Sequence, residues 1–181
     1  TGFLGYFYVV GAGSINTAKF PEEAVVAVDA QTLTSNMRHW TNDYAVMFYA
    51  PWCAHCKSTF GPMWTDLGLH MAAEGRGKDH LVMGKFNCEG STRDQDFCVK
   101  AGVTHYPTFM LFGSGSFPDS DPVTKHVLHS TPAGFESSVK FPTAGLIYPE
   151  VLHSWVRSMQ LISRSHRWAG RVGILGWGWG R

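Results

Sequence analysis

The chain has 181 residues, 44% hydrophobic and 14% aromatic, enough to bury one good core but short for two ordinary domains. Fifteen Lys plus Arg against fourteen Asp plus Glu leave a formal net charge of +1, which excludes a global field that would recruit nucleic acid or an acidic surface. Four cysteines are too few for a disulfide-stapled mini-fold, so their spacing has to carry the meaning.

Phe3 to Val10 (FLGYFYVV) is an apolar run too short to span a bilayer. It reads as the remnant of a signal or anchor segment, a buried strand or a frayed end, and residues 1–21 are assigned to an N-terminal extension. Val25 to Val28 then reads as a short strand and Thr32 to Trp40 as a helix opened by a Thr or Ser cap. Tyr44 to Ala50 (YAVMFYA) runs apolar without alternation, the pattern of a central strand covered on both faces. From Cys53 to Glu74 the pattern is helical, with Pro62 placed to kink it. Leu81 to Phe86 is the next strand, Thr92 to Ala101 a helix ended by Gly102, and Thr108 to Phe112 (TFMLF) another strand. Gly113 to Pro122 is a loop, Lys125 to Ser130 an edge-strand candidate, and Thr131 to Gly145 an irregular insertion. Tyr148 to Ile162 closes the pattern as an amphipathic helix. The order βαβαβαββα predicts an α/β layer fold with a mixed sheet over residues 22–162. Residues 163–181 form a basic, Trp- and Gly-rich tail, which reads as disordered, as the edge of a longer chain or as a membrane-surface contact.

The chemistry concentrates in Trp52-Cys53-Ala54-His55-Cys56-Lys57, where a central strand gives way to a helix. A Cys-x-x-Cys at a helix start lets the first sulfur face unpaired backbone N–H groups and the positive end of the helix dipole, both of which favour thiolate over thiol. Cys53 is the expected nucleophile and Cys56, one turn on, the resolving thiol. An imidazole at His55 favours the reduced, ionised state, which makes the disulfide a stronger oxidant. A structural zinc site is the competing reading, but it calls for a second close pair, and Cys88 and Cys98 have nine residues between them. Those two can meet across the strand-to-helix connection or remain separate buried thiols.

Phe48-Tyr49-Ala50-Pro51-Trp52-Cys53-Ala54-His55-Cys56-Lys57 resembles the active-site stretch of the protein disulfide isomerase family, with Ala54 where that family usually has Gly. Val103-Thr104-His105-Tyr106-Pro107-Thr108 resembles its second landmark, with His105 where Gly is common. The likeness covers roughly Ala24 to Ser130. It implies a thioredoxin fold, a central mixed β-sheet flanked by helices. It also implies a cis Pro107 facing the redox pair, with Trp52, Tyr106 and Pro107 holding an extended client segment. It implies a structural disulfide between Cys88 and Cys98, hence an oxidising compartment such as the endoplasmic reticulum lumen or secretory pathway. The implied activity is exchange of thiols and disulfides in client proteins, with a redox partner that recycles the pair and no metal, organic cofactor or nucleic acid. The same motif also fits the electron-transfer module of a flavin-linked sulfhydryl oxidase, and a chaperone-like client-binding domain.

The departures are specific. Relatives bury a carboxylate six residues before the first cysteine, where this chain has Met47. Lys85 resembles the lysine that accompanies that acid, a remnant of the proton relay. Pro62 lies six residues after Cys56, one more than in the family, which implies a bulge in the helix or a different start. The arginine that relatives place before their last helix has no clear counterpart.

Overall fold

A computed structural model describes residues 24–39, 42–74, 81–113, 138–142 and 147–171. In chain order the elements are β1 (Val26–Val28), α1 (Ala30–His39), β2 (Asp43–Tyr49), a π turn (Cys56–Phe60), α2 (Gly61–Ala73), β3 (Leu81–Asn87) and α3 (Thr92–Lys100). They are followed by β4 (Thr108–Phe112), β5 (Ser138–Lys140) and α4 (Pro149–Arg171). The sheet runs β1-β3-β2-β4-β5, with β1, β3 and β2 parallel and β4 and β5 antiparallel to their neighbours. It is therefore mixed, with β2 central and the redox segment at its C-terminal end.

Because side chains alternate along a strand, the apolar runs of β2 and β4 supply two cores at once. Ala45, Met47, Phe109 and Leu111 face Trp64, Leu67 and Met71 of α2 and Leu152, Trp155 and Val156 of α4. Val46, Phe48, Met110 and Phe112 face Leu33 of α1 and Phe97 and Cys98 of α3. Trp64 is fully buried, and its indole N–H donates to the carbonyl of Gly84 on β3 at 2.8 Å. That bond pins α2, and with it the start of the redox helix, to the sheet.

Two polar devices set the other helices. Asp29 caps α1: its Oδ1 accepts the Thr32 N–H at 2.7 Å, and this bond with the Thr32 side chain holds its carboxyl below the ordinary value. Ser91 caps α3 by accepting the Asp94 N–H at 3.1 Å and donates back to Asp94 Oδ2 at 2.7 Å. The other oxygen of the buried Asp94 accepts the Ala30 N–H at 2.9 Å, tying the start of α3 to that of α1. At its far end α3 stops in a Schellman motif. Val103 N–H donates to Cys98 O and Gly102 N–H to Val99 O, with Gly102 at φ 70°.

Three expectations need correction, the first being that α1 starts at Ala30 under an Asp29 cap instead of opening at Thr32 on a Thr or Ser cap. The strand beside β4 is Ser138–Lys140, within the stretch expected to be irregular, and pairing with Met110 to Phe112 is what makes it a strand. The expected strand Lys125 to Ser130 and the loop from Ser114 onward lie outside the described residues, as do residues 1–23 and 172–181. The last helix continues to Arg171 instead of ending at Ile162. Ser163, the first residue past the expected end, is buried on the helix and donates to Asp43 Oδ1 at 2.8 Å, which ties this part of the helix to the sheet.

Candidate active site

β2 delivers the chain to Ala50, whose carbonyl accepts the Cys53 N–H at 3.0 Å in the turn that starts the helix. Cys53 and Cys56 are joined as a disulfide, with Cα atoms 5.3 Å apart. The Cys56 N–H donates to Cys53 Sγ at 3.2 Å, so the first sulfur occupies the place of an N-terminal helix acceptor. Exposure barely separates the two cysteines, 7% against 4%, so the asymmetry between them lies in hydrogen bonding.

The helix then opens into one π turn, Cys56–Phe60, before α2 proper. Gly61 donates its N–H to the Cys56 carbonyl, a bond five residues long, and Pro62 follows in the first turn of α2 where no N–H is needed. The extra residue between Cys56 and Pro62 is thus absorbed by a π turn. A Cβ on Gly61 would stand 2.6 Å from the Cys56 carbonyl oxygen. Gly61→Ala should therefore displace the backbone under the resolving cysteine and cost about 1–3 kcal/mol. Chemical denaturation of the oxidised protein checks this, and a change under half a kilocalorie would show that the turn has slack.

Across from the helix start, the Tyr106-Pro107 peptide bond is cis. The Schellman motif of α3 leads into this loop, and Thr108 Oγ1 donates to the His105 carbonyl at 2.6 Å. Tyr106 meets Trp52 edge to face, ring centroids 5.7 Å apart. Trp52 is 68% exposed, and its indole N–H donates to Glu89 Oε1 at 2.6 Å. Burial, then the Glu89 charge, push the Tyr106 phenol above its ordinary pKa, so it stays a neutral donor through the physiological range. Glu89 was missed in the sequence, because a single acid after a cysteine belongs to no motif.

The remaining expected residues divide. Pro107 is buried, while His55 and His105 are exposed. Met47 is buried in the α2–α4 core and lies in register with Lys85 on the adjacent strand, where Lys85 is exposed. Cys88 and Cys98 are joined as a second disulfide, Cα atoms 5.8 Å apart, linking the end of β3 to α3 inside the α1–α3 core. Its short loop is worth about 3 kcal/mol in the chain-entropy account.

Residues 24–130 match the family model for thioredoxin. Over 91 residues the chain is 35% identical to protein disulfide-isomerase 5-1 of Arabidopsis thaliana, covering 50% of this chain and 57% of that protein. Over 103 residues it is 34% identical to protein disulfide-isomerase 1 of Dictyostelium discoideum, covering 57% of this chain and 26% of the relative. The chain thus spans little more than half the length of the first relative and about a quarter of the second. The first thioredoxin domain of mouse protein disulfide-isomerase A4 shares the fold, with a TM-score of 0.52 at 18% identity over 76% of each chain. A mixed five-stranded sheet with flanking helices, a Cys-x-x-Cys disulfide at a helix start and these matches together show that the chain belongs to the thioredoxin family, as a domain of the protein disulfide isomerase kind.

Proposed function

We propose that this domain exchanges thiols and disulfides in client proteins, with isomerase-like activity. The observation that carries the reading is the Cys56 N–H aimed at Cys53 Sγ, because that donor and the helix start behind it favour negative charge on this sulfur once the disulfide is reduced. The Cys53 thiolate attacks one sulfur of a client disulfide. A Cys53–client bond forms, and the other client sulfur leaves as a thiolate and takes a proton. Cys56, having lost its proton, attacks Cys53 Sγ; the internal disulfide forms and the client sulfur leaves. Two electrons pass to the client, and the reverse sequence oxidises a client dithiol.

Trp52 and Tyr106 present an aromatic surface beside the disulfide, suited to an extended apolar client segment, and the backbone before Pro107 supplies an edge for it. His55 acts on the charge of the reduced pair, and Lys85 is the surviving part of a proton relay. The buried Cys88–Cys98 disulfide supports an oxidising compartment, the endoplasmic reticulum lumen or secretory pathway, where a redox partner would recycle the pair. Among the described residues no helix is long and apolar enough to cross a membrane. The packing of α4 through Ile162 against the sheet supports including that helix in a redox domain over residues 22–162.

Equilibrating the protein in glutathione buffers and reading the Cys53–Cys56 couple by mass spectrometry tests the assignment. A potential near −180 mV is expected for isomerase-like work, whereas one near −270 mV would assign the domain to reduction.

A further inference from the structure

The far end of α2 carries a second group of chemistry-bearing side chains. His70 and Glu74 stand one turn apart there, and α4 brings His153 against them. His70 Nε2 lies 3.3 Å from Glu74 Oε1, His153 Nε2 lies 3.8 Å from Glu74 Oε2, and the two imidazole centroids are 5.2 Å apart. One ligand atom from each of the three residues falls within 4.8 Å of the others. His153 Nε2 is buried and has no hydrogen-bond partner among the described residues, a costly state for a ring nitrogen. Arg157 hydrogen-bonds Glu74 Oε2, which holds the carboxylate while leaving Oε1 toward His70.

We infer that His70, Glu74 and His153 form a binding site for one zinc ion that clasps the redox helix to the C-terminal helix. Two imidazoles and one carboxylate are the donor set zinc takes when a fourth position is left to water, and they are poor ligands for calcium or magnesium. Metal–ligand bonds near 2.1 Å in a tetrahedral site put donors roughly 3.4 Å apart. The His70–Glu74 pair already has that spacing, and because one ligand atom from each residue lies within 4.8 Å of the others, the remaining closure is roughly an ångström of side-chain movement. Arg157 acts as the outer partner that orients a ligating carboxylate. At 1.5 Å per residue, His70 lies roughly 20 Å along the helix from Cys56, so the site is separate from the disulfide chemistry and does not depend on it.

Zinc chloride titrated into the oxidised whole chain tests this, because all four sulfurs are then held in disulfides and cannot bind the metal. Competition against a chromophoric chelator should give one equivalent, and the unfolding temperature should rise with free zinc. His70→Ala and His153→Ala should each weaken binding at least tenfold and flatten the thermal response. The His70 side chain is 54% exposed, so its variant should fold and keep wild-type turnover of a disulfide client. No binding by the wild type, or equal affinity in wild type and both variants, would overturn the site and leave a cluster held by hydrogen bonds and charge.

Discussion

Cys56→Ala should reduce multiple-turnover reduction of a disulfide client to near the uncatalysed rate while the client accumulates on Cys53 as a mixed disulfide. The substitution removes only the second sulfur. The backbone N–H of residue 56, which lies 3.2 Å from Cys53 Sγ, is retained, so activation of the nucleophile survives. Attack therefore proceeds and resolution does not. No other sulfur can substitute, because the chain has four cysteines and Cys88 and Cys98 are bonded to each other inside the α1–α3 core. A non-reducing gel of the variant mixed with a reduced-and-reoxidised client should show a band at the summed mass that disappears with dithiothreitol. Accumulation with Cys53→Ala instead would reverse the roles of the two cysteines.

Met47→Glu should raise the rate of the resolving step about 10²-fold, the low end of general-base assistance. The resemblance to the isomerase family implies a carboxylate at this position, on the central strand that feeds the redox helix. Met47 instead packs among apolar side chains, between Lys85 on β3 and Phe109 on β4 in register. No carboxylate at position 47 is then there to take the proton of Cys56. A glutamate here would be buried, so its pKa rises, with the exposed Lys85 alongside on the same face to limit the rise. The sign for stability follows. A carboxyl whose folded pKa lies above its unfolded pKa is neutral in both states at low pH, and it costs stability as pH climbs from the lower value through the higher one. The variant should accordingly resolve clients faster and melt lower, with the melting penalty growing between acidic and neutral pH. Stopped-flow release of a disulfide peptide between pH 6 and 8 reads the first effect, and thermal unfolding from about pH 4 to 8, a range that begins near the unfolded glutamate pKa, reads the second. An unchanged release rate in a folded variant would show that another group already carries the proton.

The parts of this molecule that could be read from the chain are those whose cause is local. β4 is five consecutive buried residues, and its bounds, Thr108 to Phe112, follow from the apolar run alone. The end of α3 follows from Gly102, which adopts the left-handed conformation that such a cap needs. The offset of Pro62 pointed to a bulge, although only the structure shows that Gly61 makes room for it against the Cys56 carbonyl. Ser91 and Asp94 spell a capping box that was legible and passed over, whereas the bond from Asp94 to Ala30 spans 64 residues and was not. β5 has three residues, Ser-Val-Lys, with little strand character of their own; their state is decided by β4 beside them. Glu89 under Trp52, and His153 against His70 and Glu74, are likewise products of packing between distant segments.

The account rests on Cys53 being the activated sulfur, and site-resolved alkylation of the reduced protein measures that directly. With iodoacetamide quenched at intervals and peptides separated by mass, the Cys53 labelling rate should follow a titration well below the free-cysteine pKa of about 8.5, and Cys56 should label slowly throughout. Equal labelling of Cys53 and Cys56 at pH 6 would contradict it.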